Sequence, residues 1–158
     1  MKKIAVGCAL VLVGALAGCG GGSSSPTPIT TTTVPAPTRS LVGQASFSLV
    51  DSDTAVRQTG LPDFFAQPFS LNFSGTVDVT VDWTFRSNDL DIAIFRGSCT
   101  PTQLLNLVCG APLAQSLSTT AKPETLSVRL DAGSYTLVIA SNAGNSAESG
   151  TLAIFLTR

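Results

Sequence analysis

The sequence predicts an all-β domain, an antiparallel β-sandwich of about seven or eight short strands, because three observations agree. From residue 41 onward apolar residues recur with period two, as in Val77, Val79, Val81, Trp83 and Phe85 set between Thr76, Asp78, Thr80, Asp82 and Thr84. Turn-forming stretches such as Ser74-Gly75, Asp131-Ala132-Gly133 and Asn142 to Gly150 separate the runs. No window carries a helical period, apart from a short turn around Gln103 to Val108. Strands with one wet face and one dry face must pair their dry faces across two sheets.

The sequence divides into residues 1–18, 19–40 and 41–158. Met1-Lys2-Lys3 is a basic n-region, and Ile4 to Ala17 is apolar or small throughout. That run, about fourteen residues, is too short to span a bilayer and ends in small residues, so residues 1–18 read as a removable signal peptide. Leu16-Ala17-Gly18-Cys19 resembles the lipobox of bacterial lipoproteins. The resemblance implies that Cys19 is acylated, palmitate being the expected kind of chain, and becomes the first residue after cleavage. It implies the lipid bilayer as a partner and the cell envelope as the address. In a double-membraned bacterium, Gly20 in place of the Asp that marks inner-membrane retention favours the outer membrane.

The next tract is a tether. Gly20 to Ser25 is all Gly and Ser, and Pro26, Pro28, Pro35 and Pro37 follow with Thr30 to Thr33. Such a stretch has too little apolar surface to offset its ordering entropy. At ~3.1 Å per residue it reaches at most roughly 65 Å, enough to lift a domain off a membrane. Ser and Thr with Pro is also the composition of O-glycosylated stalks.

The strands follow in order. Phe47 and Leu49 mark the first, and Phe69, Leu71 and Phe73 the second. Val77 to Phe85 is the third, and Leu90, Ile92 and Ile94 the fourth. Leu126, Val128 and Leu130 lead through Asp131-Ala132-Gly133 into Tyr135, Leu137 and Ile139, a hairpin pattern. Leu152, Ile154 and Leu156 mark the last strand. Trp83 and Tyr135, the sole Trp and Tyr, fall on inward-facing parity and read as core.

Three of these stretches together carry a resemblance: Phe73 to Trp83, Asp89-Leu90-Asp91-Ile92-Ala93-Ile94-Phe95, and Leu130 to Ile139 with its Ala-Gly-Ser-Tyr turn. Their order and spacing are similar to the bacterial pre-peptidase C-terminal domain over about residues 65–158. The resemblance implies a jelly-roll-like β-sandwich and a non-catalytic role. It also brings in calcium and collagen, which some relatives bind. The chain departs from the family in lacking a protease domain, in its lipobox, and in the additional segment from Cys99 to Cys109.

Composition narrows the chemistry. The chain has no His, which excludes His-based acid–base catalysis, Ser-His and Cys-His pairs, and the usual catalytic zinc sites. Removing Lys2 and Lys3 with the signal takes the net charge from −1 to −3, without the basic stripe that a nucleic-acid binder needs. Of four Cys, Cys8 leaves with the signal and Cys19 takes the lipid. Cys99 and Cys109 then form a disulfide in an oxidising compartment, since two thiols without His are too few soft ligands for a metal.

Asp89 and Asp91 flank Leu90 and could begin a hard-cation site for calcium with Ser87, Asn88 and Asp82. Asn-Asp before a strand is equally ordinary turn chemistry, the preferred reading, and Asp51 and Asp53 read the same way. No cofactor is expected. Phe64 and Phe65 follow the turn signal Pro62-Asp63; core packing is the preferred reading, and one ring left exposed would instead offer a stacking surface for a sugar or protein. Asp78 and Asp82 share a flat polar face, unlike the cleft that paired catalytic carboxylates require.

The expectation is a membrane-anchored extracytoplasmic lipoprotein, not an enzyme, whose sandwich is a binding or interaction module for a protein or glycan. The alternatives are a purely structural envelope lipoprotein and a His-free carboxylate hydrolase.

Overall fold

Eight strands pair into two four-stranded antiparallel sheets in this computed structural model, which describes residues 35–52, 54–55, 63–142 and 146–158. The signal segment, Cys19, the tract that follows it up to residue 34, and Asp53 lie outside the described residues. The strands are β1 (Arg39–Leu49), β2 (Phe64–Leu71), β3 (Gly75–Trp83), β4 (Leu90–Arg96), β5 (Ala114–Ser116), β6 (Glu124–Leu130), β7 (Gly133–Ser141) and β8 (Glu148–Thr157). One short helix, α1 (Pro101–Leu105), lies between β4 and β5. Sheet order is β1-β8-β3-β6 against β2-β7-β4-β5. The pairs β1·β8, β2·β7, β3·β6 and β4·β5 are nested, as if one long hairpin were wound around the core. This is the jelly-roll order.

Alternation explains the core. β3 buries Val77, Val79, Val81 and Trp83 and turns Thr76, Asp78, Thr80 and Asp82 outward. Leu90, Ile92 and Ile94 of β4, Tyr135, Leu137 and Ile139 of β7, and Leu152, Ile154 and Leu156 of β8 close over them. Tyr135 stacks on Phe69 at 5.6 Å between ring centroids, and its hydroxyl donates to the Asp131 carbonyl at 2.8 Å, closing the β6–β7 hairpin. Trp83 and Tyr135 are therefore core, as their parity predicts.

Two aromatics depart from that pattern. β2 ends at Leu71, so Phe73 sits in the turn before β3, 55% exposed beneath the Arg158 guanidinium. β3 ends at Trp83, and Phe85 is 53% exposed because its backbone N–H leaves the ladder for the Glu148 carboxylate.

The sandwich has two unlike ends. At the proximal end residues 35–38 lead into β1, and Thr38 and Arg158 exchange backbone hydrogen bonds of 2.9 and 3.1 Å. The β2–β3 turn and the β6–β7 hairpin share this end. At the distal end lie the β1–β2, β3–β4, β5–β6 and β7–β8 connections.

A buried polar network closes the distal end. The Glu148 carboxylate accepts from the backbone N–H of Thr84, Phe85 and Ser149 and from the Asn88 amide, at 2.8–2.9 Å. Asn88 also joins Ser146 through both halves of its side-chain amide, and its backbone carbonyl accepts from Trp83 Nε1 at 3.2 Å. Burial raises the Glu148 pKa, but the donated hydrogen bonds outweigh it and hold the carboxyl below its usual 4.5. Glu124 is the other buried acid: its Oε1 accepts from Ser116 Oγ and from the Ser118 N–H, while Oε2 has no partner among the described residues.

Candidate functional site

The segment between β4 and β5 decides what the outer face of the β2-β7-β4-β5 sheet can do. It leaves β4 through Gly97, whose φ of 76° suits a residue without a side chain. Thr100 caps α1 by accepting from the Gln103 N–H at 3.2 Å, and Gln103 Oε1 accepts from the Thr100 N–H at 2.8 Å. With Pro101 in the first turn, this capping box starts a helix too short to persist alone. Cys99 and Cys109 are joined by a disulfide with Cα atoms 5.5 Å apart, as the compartment argument predicts. Thr136 Oγ1 donates to the Gly97 carbonyl and accepts from the Cys99 N–H, fastening the segment to β7.

Folded back, the segment builds a second apolar cluster. Phe95, Cys99 and Val138 are buried there, with Phe64, Ala93, Leu104 and Cys109 packed against them. This is why β7 is buried on both faces from Tyr135 to Ile139. The disulfide closes a short loop, and the chain-entropy relation assigns such a loop about 2–3 kcal/mol. Replacing Cys99 and Cys109 together by Ser is expected to lower the melting temperature by about 10 °C, since 1 kcal/mol moves a domain of this size by about 3–5 °C. A thermal melt of the double variant, compared with the disulfide-intact parent, measures it, and the reduced parent is expected to melt with the variant; a melting point unchanged from the intact parent refutes the role of the bridge as a clamp.

The cluster is not sealed. A groove of about 190 Å³ remains, lined by Phe64, Asp91, Leu104, Leu117, Val138 and Ala140 among others. A second hollow of about 320 Å³ shares Ala93, Phe95 and Leu104 and runs toward Leu107, Pro112 and Gln115. Leu107 and Val108 beside it and Leu117 are exposed, at 89%, 66% and 56%. Leu107 also holds a φ of 57°, a left-handed conformation uncommon for a residue with a side chain.

Asp91 is the one charged side chain lining the smaller groove. Burial raises its pKa above 3.8, the Asn142 hydrogen bond opposes this, and the Asp89 and Glu124 carboxylates add to the rise.

The structure thus collects four residues that the sequence had offered separately. Phe64, Asp91, Cys99 and Cys109 all serve this one outer face. Phe65 faces the other way, into the main core, 5.8 Å from the Phe47 ring. Asp89 stays in the turn before β4, where its Oδ2 accepts from Asn142 Nδ2 at 2.7 Å and its carbonyl from the Asn142 N–H. Among the described residues no three His, Cys, Asp or Glu side chains are grouped to hold a metal. Asp78, bonded by Ser127 Oγ at 2.7 Å, and Asp82 stand on the outer face of the opposite sheet and do not face one another across a cleft.

The Leu104 and Leu117 contributions were not read from the sequence. The capping box Thr100-x-x-Gln103 was the available signal for α1. Glu148 and Asn88 were also missed as a network, although Glu148 shares the inward parity of Leu152 and Ile154.

No protein-family profile matches the chain, and no characterised protein matches it in sequence. Solved structures do. The pre-peptidase C-terminal domain of a collagenase from Bacillus anthracis superposes with a TM-score of 0.50 at 11% identity, over 72% of this chain and 89% of that one. A carbohydrate-binding module of Cellvibrio mixtus lichenase 5A, solved with cellotriose, gives 0.39 at 15% identity, over 77% and 97% of the two chains. The carbohydrate-binding module CBM36, solved with calcium and xylotriose, gives 0.34 at 8% identity, over 78% and 100%. At these identities the first comparison shows a shared β-sandwich fold, that of the pre-peptidase C-terminal domain.

Proposed function

We propose that the chain is a membrane-anchored extracytoplasmic lipoprotein whose sandwich is a non-catalytic binding module, with the outer face of the β2-β7-β4-β5 sheet as its contact surface. The observation that carries the reading is the apolar groove beside the disulfide-closed segment, with exposed Leu107 and Leu117 at its margins and one desolvated carboxylate, Asp91, in its wall. Such a surface suits apolar side chains of a protein segment that also carries a cation. A glycan site needs several convergent polar groups around its rings. Asp89 and Asp91 serve in this reading as turn and groove residues held by Asn142, not as ligands of a cation. The shared pre-peptidase C-terminal fold is consistent with a binding role.

The test is a displayed random-peptide library with a glycan array alongside it. The expected outcome is enrichment of segments pairing aliphatic or aromatic residues with Lys or Arg, with binding lost in Leu117→Glu at an unchanged melting temperature. Selection of glycans alone, or peptides that bind Leu117→Glu equally well, removes the groove from the reading.

The anchor rests on the lipobox and on Cys19, outside the described residues. Cys19→Ala is expected to abolish fatty-acid labelling and leave the uncut precursor. Normal labelling of that variant sinks the anchor while leaving the groove untouched.

A further inference from the structure

Among the described residues, most charges of the domain are sorted between its two ends. At the distal end stand Asp51, Asp63, Asp82, Asp89, Asp91, Glu124 and Glu148, against Arg86 and Lys122. At the proximal end the order reverses: Arg39, Arg96, Arg129 and Arg158 stand against Asp131 and against Asp78, which lies one step inward of them on the outer face of β3. The ladder sets Arg39, Thr157, Thr76 and Arg129 side by side across the whole first sheet. At ~4.8 Å per strand, that row is about 14 Å wide. Arg96 and Arg129 share a hollow of about 300 Å³ with Leu113 and Asp131.

Three of the four arginines are held up by rings. The Arg39 guanidinium lies 3.7 Å over Phe155, Arg158 lies 4.4 Å over Phe73, and Arg96 lies 5.6 Å from the Tyr135 centroid. Phe73 is itself more than half exposed at the tip of the β2–β3 turn, with Leu41 nearly half exposed on β1. A guanidinium layer with an apolar tip is the surface that anionic headgroups attract and that their acyl boundary accepts. Residues 35–38 enter the domain at this same end.

We infer that the proximal end, through Arg39, Arg96, Arg129, Arg158 and Phe73, is a docking surface for an anionic phospholipid bilayer. Docking there turns the acidic distal loops away from the lipid. The electrostatic attraction falls with ionic strength, because the Debye length shortens. This goes beyond the binding-module reading and does not require acylation of Cys19.

Residues 35–158 are one compact unit that holds both four-stranded sheets and both apolar clusters of the described residues, so they are taken as the folding unit. This domain, without any anchor, is co-sedimented with vesicles of phosphatidylcholine alone and of phosphatidylcholine mixed with phosphatidylglycerol. Binding to the anionic vesicles only, weakened by salt, is expected. Each arginine removed is expected to lower the partition coefficient about five-fold, so Arg39→Gln with Arg129→Gln costs about 25-fold. Phe73→Ser weakens binding further at equal salt. The distal pair Arg86→Gln with Lys122→Gln leaves it unchanged. Equal binding to both vesicle types, no binding to either, an equal loss in the distal pair, or full displacement by inorganic phosphate at matched ionic strength overturns the inference. Melting temperatures of all variants are measured alongside, and the lipidated parent reports separately on the anchor.

Discussion

Glu148→Ala is expected to destabilise the domain by about 3–4 kcal/mol, lowering its melting temperature by about 10–15 °C. The cause is the number of donors that converge on one carboxylate. Three backbone N–H groups and the Asn88 amide lose their acceptor together, on a side chain only 3% exposed. Hydrogen bonds to a charged acceptor are each worth more than neutral ones, and donors left buried keep their desolvation cost. The β3–β4 and β7–β8 connections lose their shared fastening, while the sheets keep their ladders.

The same residue makes stability depend on pH in a defined direction. Its folded pKa lies below the usual 4.5, so the stabilisation is present above that value and is lost as pH falls through the folded pKa. Asp91 acts with the opposite sign: its raised pKa favours the folded state when protonated, a contribution lost as pH rises through the folded value. Denaturant unfolding of Glu148→Gln across the acid range is expected to show a flatter acid limb than the parent. An acid limb of unchanged slope would falsify the assignment.

Gly150→Ala is expected to be at least as damaging, about 3–5 kcal/mol, for a steric reason. Gly150 lies on β8 between Phe47 of β1 and Trp83 of β3. A Cβ there would meet the Asp82 carbonyl oxygen, and would stand 2.5 and 2.8 Å from two atoms of the Phe47 ring. The carbonyl is backbone and cannot rotate away, so the central strands of the sheet must separate. Gly43 is the internal comparison: its added Cβ would approach the flexible Ile154 Cδ1 at 3.2 Å. Gly43→Ala is therefore expected to cost well under half as much. Equal costs in parallel melts would show that backbone crowding at Gly150 does not control the sheet.

The strands were legible wherever one face is wet. Val77 to Trp83 alternates with Thr and Asp because water takes every second side chain, and the same holds for Leu152, Ile154 and Leu156. Legibility failed at strand ends. Phe73 and Phe85 continue the alternation in sequence, yet the chain turns before each of them, at points set by partners sixty or more residues away. It failed again in β7, where Thr136 and Val138 are buried on what looks like a solvent face because the Cys99–Cys109 segment folds over them.

For the site, chemistry was legible and location was not. Cys99 and Cys109 are the two thiols that remain once Cys8 and Cys19 are assigned to the expected signal and lipobox, so count and expected compartment were enough to anticipate the bridge that the structure shows. Phe64 and Phe65 are neighbours of the same type, and nothing local distinguishes them. Strand parity sends Phe65 into the main core and Phe64 to the outer groove.

The sequence by itself determined the all-β class, the sandwich, the bridge between Cys99 and Cys109, and the absence of any histidine chemistry. These follow from composition and from a period that each strand carries within itself. Only the tertiary structure decided that Phe64, Asp91, Leu104 and Leu117 wall one groove, and that Glu148 reaches back to Thr84, Phe85 and Asn88. It also decided that four arginines from four parts of the chain share one end. The physical reason is the nested jelly-roll pairing, which joins residues far apart in the chain through ladder register, information that no local window contains.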